Sequence, residues 1–183
     1  MKERDKGCIL RLLPLGESGV IVYWCTEAHG ILHTAARNAR KPGSDFTGRL
    51  DLFHECELLF STPARSDLAT LHSVELINPR LPIRSSLNGL RLASYMARLL
   101  LATVEPGTHG ETDWHTLMAG ALDYLATTTP RQAILHHFEK RLATLHGLYN
   151  PVIPPYRALL QHFQHLPAGR EELLEVLEGY VLG

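Results

Sequence analysis

The spacing of apolar and polar positions divides the chain into a β-patterned front and a helix-patterned back. Residues 7–13 (GCILRLL) form an apolar run ended by Pro14-Leu15-Gly16, and residues 19–26 (GVIVYWCT) are β-branched and aromatic. Both read as strands, because such side chains fit a pleated, half-buried surface. Glu27-Ala28-His29-Gly30 reads as a compact turn with Gly30 at positive φ, followed by a third strand over 31–36, antiparallel to the second. Further on, Leu50, Leu52, His54, Cys56 and Leu58 alternate with Asp51, Glu55 and Glu57. That period of two predicts a fourth strand with a solvated face carrying Glu55 and Glu57. Residues 61–67 (STPARSD) carry turn chemistry, and residues 68–77 supply a fifth strand. Five short strands with no helical period among them predict a small closed or nearly closed β-barrel.

The period changes at Asn78-Pro79-Arg80-Leu81-Pro82. Leu87, Leu90, Tyr95 and Leu99 then mark an apolar helix capped by Ser85 or Ser86 and ended by Pro106-Gly107. Thr112 or Asp113 caps a helix over 114–126, and Pro130 opens another that runs to about His146 with Gly147 as its stop. Residues 150–155 form a rigid connector, and shorter helices are expected over 156–165 and 171–182. The fold class is α+β: a barrel domain over 1–80 followed by an all-α domain over 81–183.

Composition narrows the function. The 183 residues are 45% hydrophobic and 20% charged with a formal net charge of −1, so bulk charge does not drive this chain onto nucleic acid. Any anion site must be a local patch. Cys8, Cys25 and Cys56 have no CxxC spacing and read as buried reduced thiols of a cytoplasmic protein. The run after MKERDKG contains Arg11 and stops at Pro14, too short and interrupted for a signal peptide. No stretch approaches the roughly 20 apolar residues of a membrane span.

The local patch is present. Arg37, Arg40, Lys41 and Arg49 lie in the segment between strands three and four, opposed only by Asp45. A mobile cationic loop on a barrel of the oligonucleotide-binding type suits a phosphate backbone, with Tyr23, Trp24, Phe46 and Phe53 as stacking candidates. Alternation sends Tyr23 and Trp24 to opposite faces, so at least half of these aromatics belong to the core. No phosphate-binding glycine loop, GxSxG or HExxH motif is present, and no enzymatic activity, cofactor or metal is expected. His136, His137 and His146 on one helix, and His162 with His165 on another, have ligand-like spacings, but no Asp, Glu or Cys partner sits at a recognised metal-site spacing. They read as surface or half-buried side chains, a histidine metal hydrolase being the minor alternative.

Residues 7 to about 147 resemble the RecO family of bacterial recombination mediators. The resemblance is carried by GCILRLLPLGESGVIVYWCTEAHG, AARNARKPGS, GRLDLF, LATLHSVELI, LASYMARLL and HHFEKRLATLHG, in that order. It implies an N-terminal OB-fold barrel, a helical domain, and a mediator that binds single- and double-stranded DNA and anneals complementary strands. Such a protein would assist recombinase loading with RecR and the C-terminal tail of the single-stranded-DNA-binding protein. Matched position by position, Arg37, Arg40 and Lys41 form the DNA-binding loop, with Arg49 at its exit. The tail-binding region falls at His136 and His137, where relatives tend to carry arginines, so docking would lean on Lys140 and Arg141. Many relatives have a four-cysteine zinc site, but here no cysteine follows Cys56 and zinc is not expected. The chain also ends sooner than most relatives. The competing reading is a protein-interaction adaptor with little DNA affinity of its own, favoured by the near-zero net charge.

Overall fold

Strand β1 (Glu3–Leu15) pairs antiparallel with β2 (Gly19–Thr26), and β2 with β3 (Gly30–Ala36). The computed structural model describes residues 1–63, 68–107 and 113–178. Part of the 61–67 turn, the alternative cap Thr112 and the expected helix end over 179–182 lie outside the described residues. Strands β4 (Glu55–Ser61) and β5 (Leu68–Asn78) pair with each other, β5 runs parallel to β3, and β4 returns to β1. The order β1-β2-β3-β5-β4 closes into a five-stranded barrel of the OB type.

The β2–β3 turn is made as its residues dictate. Gly30 has φ +60°, and the Asp5 carboxylate accepts the backbone N–H groups of Ala28 and His29, both at 3.2 Å. The barrel core holds Ile9, Val22, Trp24, Leu58, Phe60, Leu71 and Val74. Burying the Trp24 indole requires a partner for its N–H, which donates to Thr34 Oγ1 at 2.8 Å.

Two strands differ from expectation in their limits, and β1 already begins at Glu3 rather than at residue 7. β1 continues through Pro14 to Leu15, where Pro14 pairs with Val20 of β2. Proline is tolerated because β4 has already left β1, pairing only with Glu3 to Cys8, so no ladder bond is lost on that side. The fourth strand begins at Glu55 rather than Leu50. A turn closes over 51–54, where the His54 N–H donates to the Asp51 carbonyl at 3.3 Å, and Phe53 takes φ +68°, which breaks the pleat before β4 starts.

The helices are α1 (Leu87–Thr103), α2 (Trp114–Thr127), α3 (Gln132–Leu145), α4 (Pro155–Phe163) and α5 (Arg170–Glu178). Ser86 caps α1 by accepting the Gly89 N–H at 3.1 Å, and Asp113 accepts the Thr116 N–H at 2.9 Å at the start of α2. The chain groups into two units, Met1–Arg80 with Glu105–Ala119, and Leu81–Val104 with Gly120–Gly183. In the second unit α1 packs on α3 and α5, and α3 on α4. There Arg170 clamps the buried Glu139 carboxylate with two hydrogen bonds, at 2.6 and 2.9 Å, and stacks 4.1 Å from the Tyr156 ring centre. No helix among the described residues is long and apolar enough to cross a membrane.

Candidate nucleic-acid interface

The segment joining β3 to β4 is a succession of turns. The Lys41, Ser44, Thr47 and Arg49 N–H groups donate in turn to the carbonyls of Asn38, Lys41, Ser44 and Phe46, at 3.0–3.1 Å. Asn38 starts the series at φ +58°, a conformation its short polar side chain tolerates, and Gly43 and Gly48 supply two more positive φ values. The segment is fastened at both ends of its first half: Arg40 N–H donates to the Ser18 carbonyl at 2.9 Å, and Phe46 is buried in the barrel core. The expected mobile loop is thus an anchored one. Phe46→Leu should lower stability by about 1 kcal/mol. It should also speed tryptic cleavage after Arg37 and Arg40, as limited proteolysis would read; unchanged cleavage would mean that Phe46 does not hold the loop.

Arg37, Arg40 and Lys41 are exposed, and none is tied into an ion pair among the described residues. Arg40 and Lys41 rim a cleft of about 590 Å³ whose apolar lining includes Leu12, Pro14, Val20 and Leu50. Arg49 is also exposed, but its guanidinium donates to the Val74 carbonyl at 2.9 Å, so one of its donors is committed to the barrel. The loop therefore carries three outward cations and a fourth that is partly held. The charges are legible in the sequence, whereas Phe46, a stacking candidate by residue type, serves as the anchor.

Of the four aromatic candidates, Trp24, Phe46 and Phe53 are buried and Tyr23 alone faces outward, half-buried. Tyr23 lies against His33, with ring centres 4.0 Å apart, and the Arg11 guanidinium sits 5.6 Å from its ring centre.

Glu55 corrects the expectation of a solvated strand face: it is 3% exposed, whereas Glu57 is partly exposed and paired with Arg4 at 2.9 Å. Chain segments distant in sequence cover Glu55. One carboxylate oxygen takes the Arg80 guanidinium at 2.6 Å and the Cys8 thiol at 2.9 Å, and the other meets His115 Nε2 at 2.8 Å. Arg80 also donates to the Phe53 carbonyl at 2.9 Å and has φ +44°, a strained value that these bonds hold in place. Burial alone would raise the Glu55 carboxyl; the bonds from His115 and Cys8 and the charge of Arg80 outweigh it and hold the group well below the usual carboxylate range. Burial pushes the Cys8 and Cys25 thiols up and the Cys56 thiol up to about 12, so all three stay neutral thiols.

Cys8, Glu55 and His115 are the one group among the described residues with metal-ligand geometry, their ligand atoms lying within 4.8 Å. The cationic partner of that carboxylate is Arg80, also 3.4 Å from the thiol sulfur, so a metal ion would have to displace a buried guanidinium. The cluster is an ion-pair network that ties the barrel to His115 in the first turn of α2. His136, His137, Lys140 and Arg141 share the exposed side of α3, while His146 packs edge-on against Phe163 with ring centres 4.8 Å apart. Lys140 Nζ lies 5.1 Å from the Tyr149 ring centre.

Comparison with known proteins agrees with this architecture. Residues 1–80 match the family model described as recombination protein O N terminal. The DNA repair protein RecO of Syntrophus aciditrophicus is 38% identical over 97 residues, covering 53% of this chain and 38% of the relative. RecO of Exiguobacterium is 29% identical over 148 residues, covering 81% and 58%, and RecO of Thiobacillus denitrificans is 31% identical over 151 residues, covering 75% and 56%. The chain thus spans about half the length of these curated relatives. With the barrel order, the N-terminal match and the relatives in agreement, the chain belongs to the RecO family.

Proposed function

We propose that the chain is a DNA-binding recombination mediator of DNA repair that acts in the cytoplasm and performs no covalent chemistry. Residues 1–80 hold the nucleic acid, and the helical part over 81–183 receives protein partners. The observation that carries this reading is the anchored loop with Arg37, Arg40 and Lys41 exposed beside an apolar cleft. A pre-shaped cationic loop neutralises phosphates without first being ordered, and its effect is electrostatic. Bringing two complementary strands together is opposed chiefly by phosphate repulsion, so the same loop supports single- and double-strand binding and annealing. RecR and the acidic C-terminal tail of the single-stranded-DNA-binding protein are the proposed partners. The exposed His136, His137, Lys140 and Arg141 on α3 are the proposed tail contact, with most of the charge on the last two.

Titration of a labelled single-stranded oligonucleotide at several salt concentrations tests the reading. The logarithm of affinity should fall with the logarithm of salt with a slope of about −2 to −3, as three or four cations on phosphates require. Absence of binding at low salt, or a slope near zero, overturns it. A second reading, a protein-interaction adaptor, is favoured by the net charge of −1 and the exposed polar side of α3. Nuclease-resistant capture of RecR or single-stranded-DNA-binding protein by a chain with no DNA affinity would select it.

A further inference from the structure

We infer that the row Arg11–Tyr23–His33 on the outside of the barrel is a stacking platform for an unpaired nucleobase, and that it makes the protein favour single strands over duplex. This rests on the nucleic-acid reading of the basic loop and names a second contact on the same barrel.

The row is built by strand register. Arg11 of β1 stands opposite Tyr23 of β2, and Tyr23 opposite His33 of β3, so three neighbouring strands present these side chains side by side. Inward positions on β2 are taken by Val22 and Trp24, which places Tyr23 on the outer face. Tyr23 and His33 rings pack at 4.0 Å with a 44° tilt, and the exposed Arg11 guanidinium covers the tyrosine loosely at 5.6 Å. With Trp24, Phe46, Phe53 and Phe60 all buried, this row is where the described barrel offers aromatic surface to a ligand. It is also close to the loop: the next outward pair along the strands is Ile21 opposite Ala35, and Arg37 follows two residues later. His33 and Arg37 are four positions apart, about 13 Å of extended chain, so one strand of nucleic acid reaches both.

The chemistry follows from the pieces. A base is a flat π-system that takes the place of the Arg11 guanidinium on the Tyr23 ring. The displaced guanidinium then turns to a phosphate oxygen of the same strand, so no charge is left uncompensated. In a duplex the bases are stacked on each other and hydrogen-bonded, and only phosphates remain available to the loop. The platform thus adds to single-strand binding and leaves duplex binding to charge alone.

The test compares three labelled ligands of equal length: an oligothymidylate, the same backbone with its bases removed, and a duplex. The full native chain should bind the oligothymidylate about tenfold more tightly than the abasic strand; equal affinities overturn the platform. Tyr23→Leu should remove that difference while abasic and duplex affinities stay within about twofold and the salt slope is unchanged. Tyr23→Trp should keep it. A uniform loss on all three ligands with Tyr23→Leu, or no loss on oligothymidylate, overturns the inference but leaves the loop reading standing. If the native chain binds none of the three, both fall. The native-chain comparison needs no variant and decides the matter even where Tyr23→Leu fails to fold.

Discussion

Glu55→Gln is expected to lower the stability of the barrel unit by about 3–5 kcal/mol, the usual cost of breaking a buried ion pair from one side. The substitution keeps the side-chain shape but leaves the Arg80 guanidinium, 1% exposed, without its counter-charge. It also changes the partner of the Cys8 thiol and of His115, where the start of α2 meets the barrel. Thermal unfolding followed by circular dichroism should show the transition of the barrel unit lower by at least about 12 °C. Acid sharpens the test. The folded-state pKa of Glu55 lies below its unfolded value, so its stabilisation is fully present above about pH 4.5 and is lost as pH falls toward the folded pKa. The native chain should therefore lose stability in acid on a slope that the variant lacks. Parallel acid slopes for the two proteins would mean that Glu55 is not held as a buried carboxylate.

Replacing Arg37, Arg40 and Lys41 together by alanine is expected to weaken single-strand binding by about one to two orders of magnitude near physiological salt. It should also flatten the salt slope by about 2. All three side chains are exposed, so the fold should be little affected, within about 0.5 kcal/mol for each. Arg49→Ala should contribute less to affinity than any of the three, because its guanidinium is partly spent on the Val74 carbonyl. Binding isotherms at four or more salt concentrations separate these effects. A triple variant that keeps the native slope removes the loop from the DNA-binding surface.

The features legible in the sequence are those with local causes. Gly30 turned the chain where a positive φ was needed, and Ser86 and Asp113 capped their helices through side-chain chemistry visible within three residues. For Glu55, alternation tells which face the side chain points to, not what lies over that face. Its cover comes from Arg80 and His115, 25 and 60 positions away. Leu50 and Leu52 satisfied the period of two, yet the left-handed turn at Phe53 separates them from β4. For the candidate site, the cations were readable as a cluster in a loop. The anchor was not, since an aromatic in a polar segment looks the same whether it faces solvent or the core.

Strand β1 has a consequence for the nascent chain. The β1–β2 and β2–β3 pairings join sequence neighbours and can form as soon as they emerge from the ribosome. The Glu3 to Cys8 edge, however, waits for β4, and the His33 to Ala35 edge waits for β5. Until β4 is complete at Ser61 the chain is a three-stranded sheet with both edges unpaired, the state most open to pairing with another chain, and the β3 edge stays open until β5 is complete at Asn78. The alternating charges Glu3, Arg4, Asp5 and Lys6 lie along the first of those edges. Arg4, which pairs with Glu57 once β4 has arrived, and its charged neighbours thus guard the unfinished sheet against other chains on the polysome.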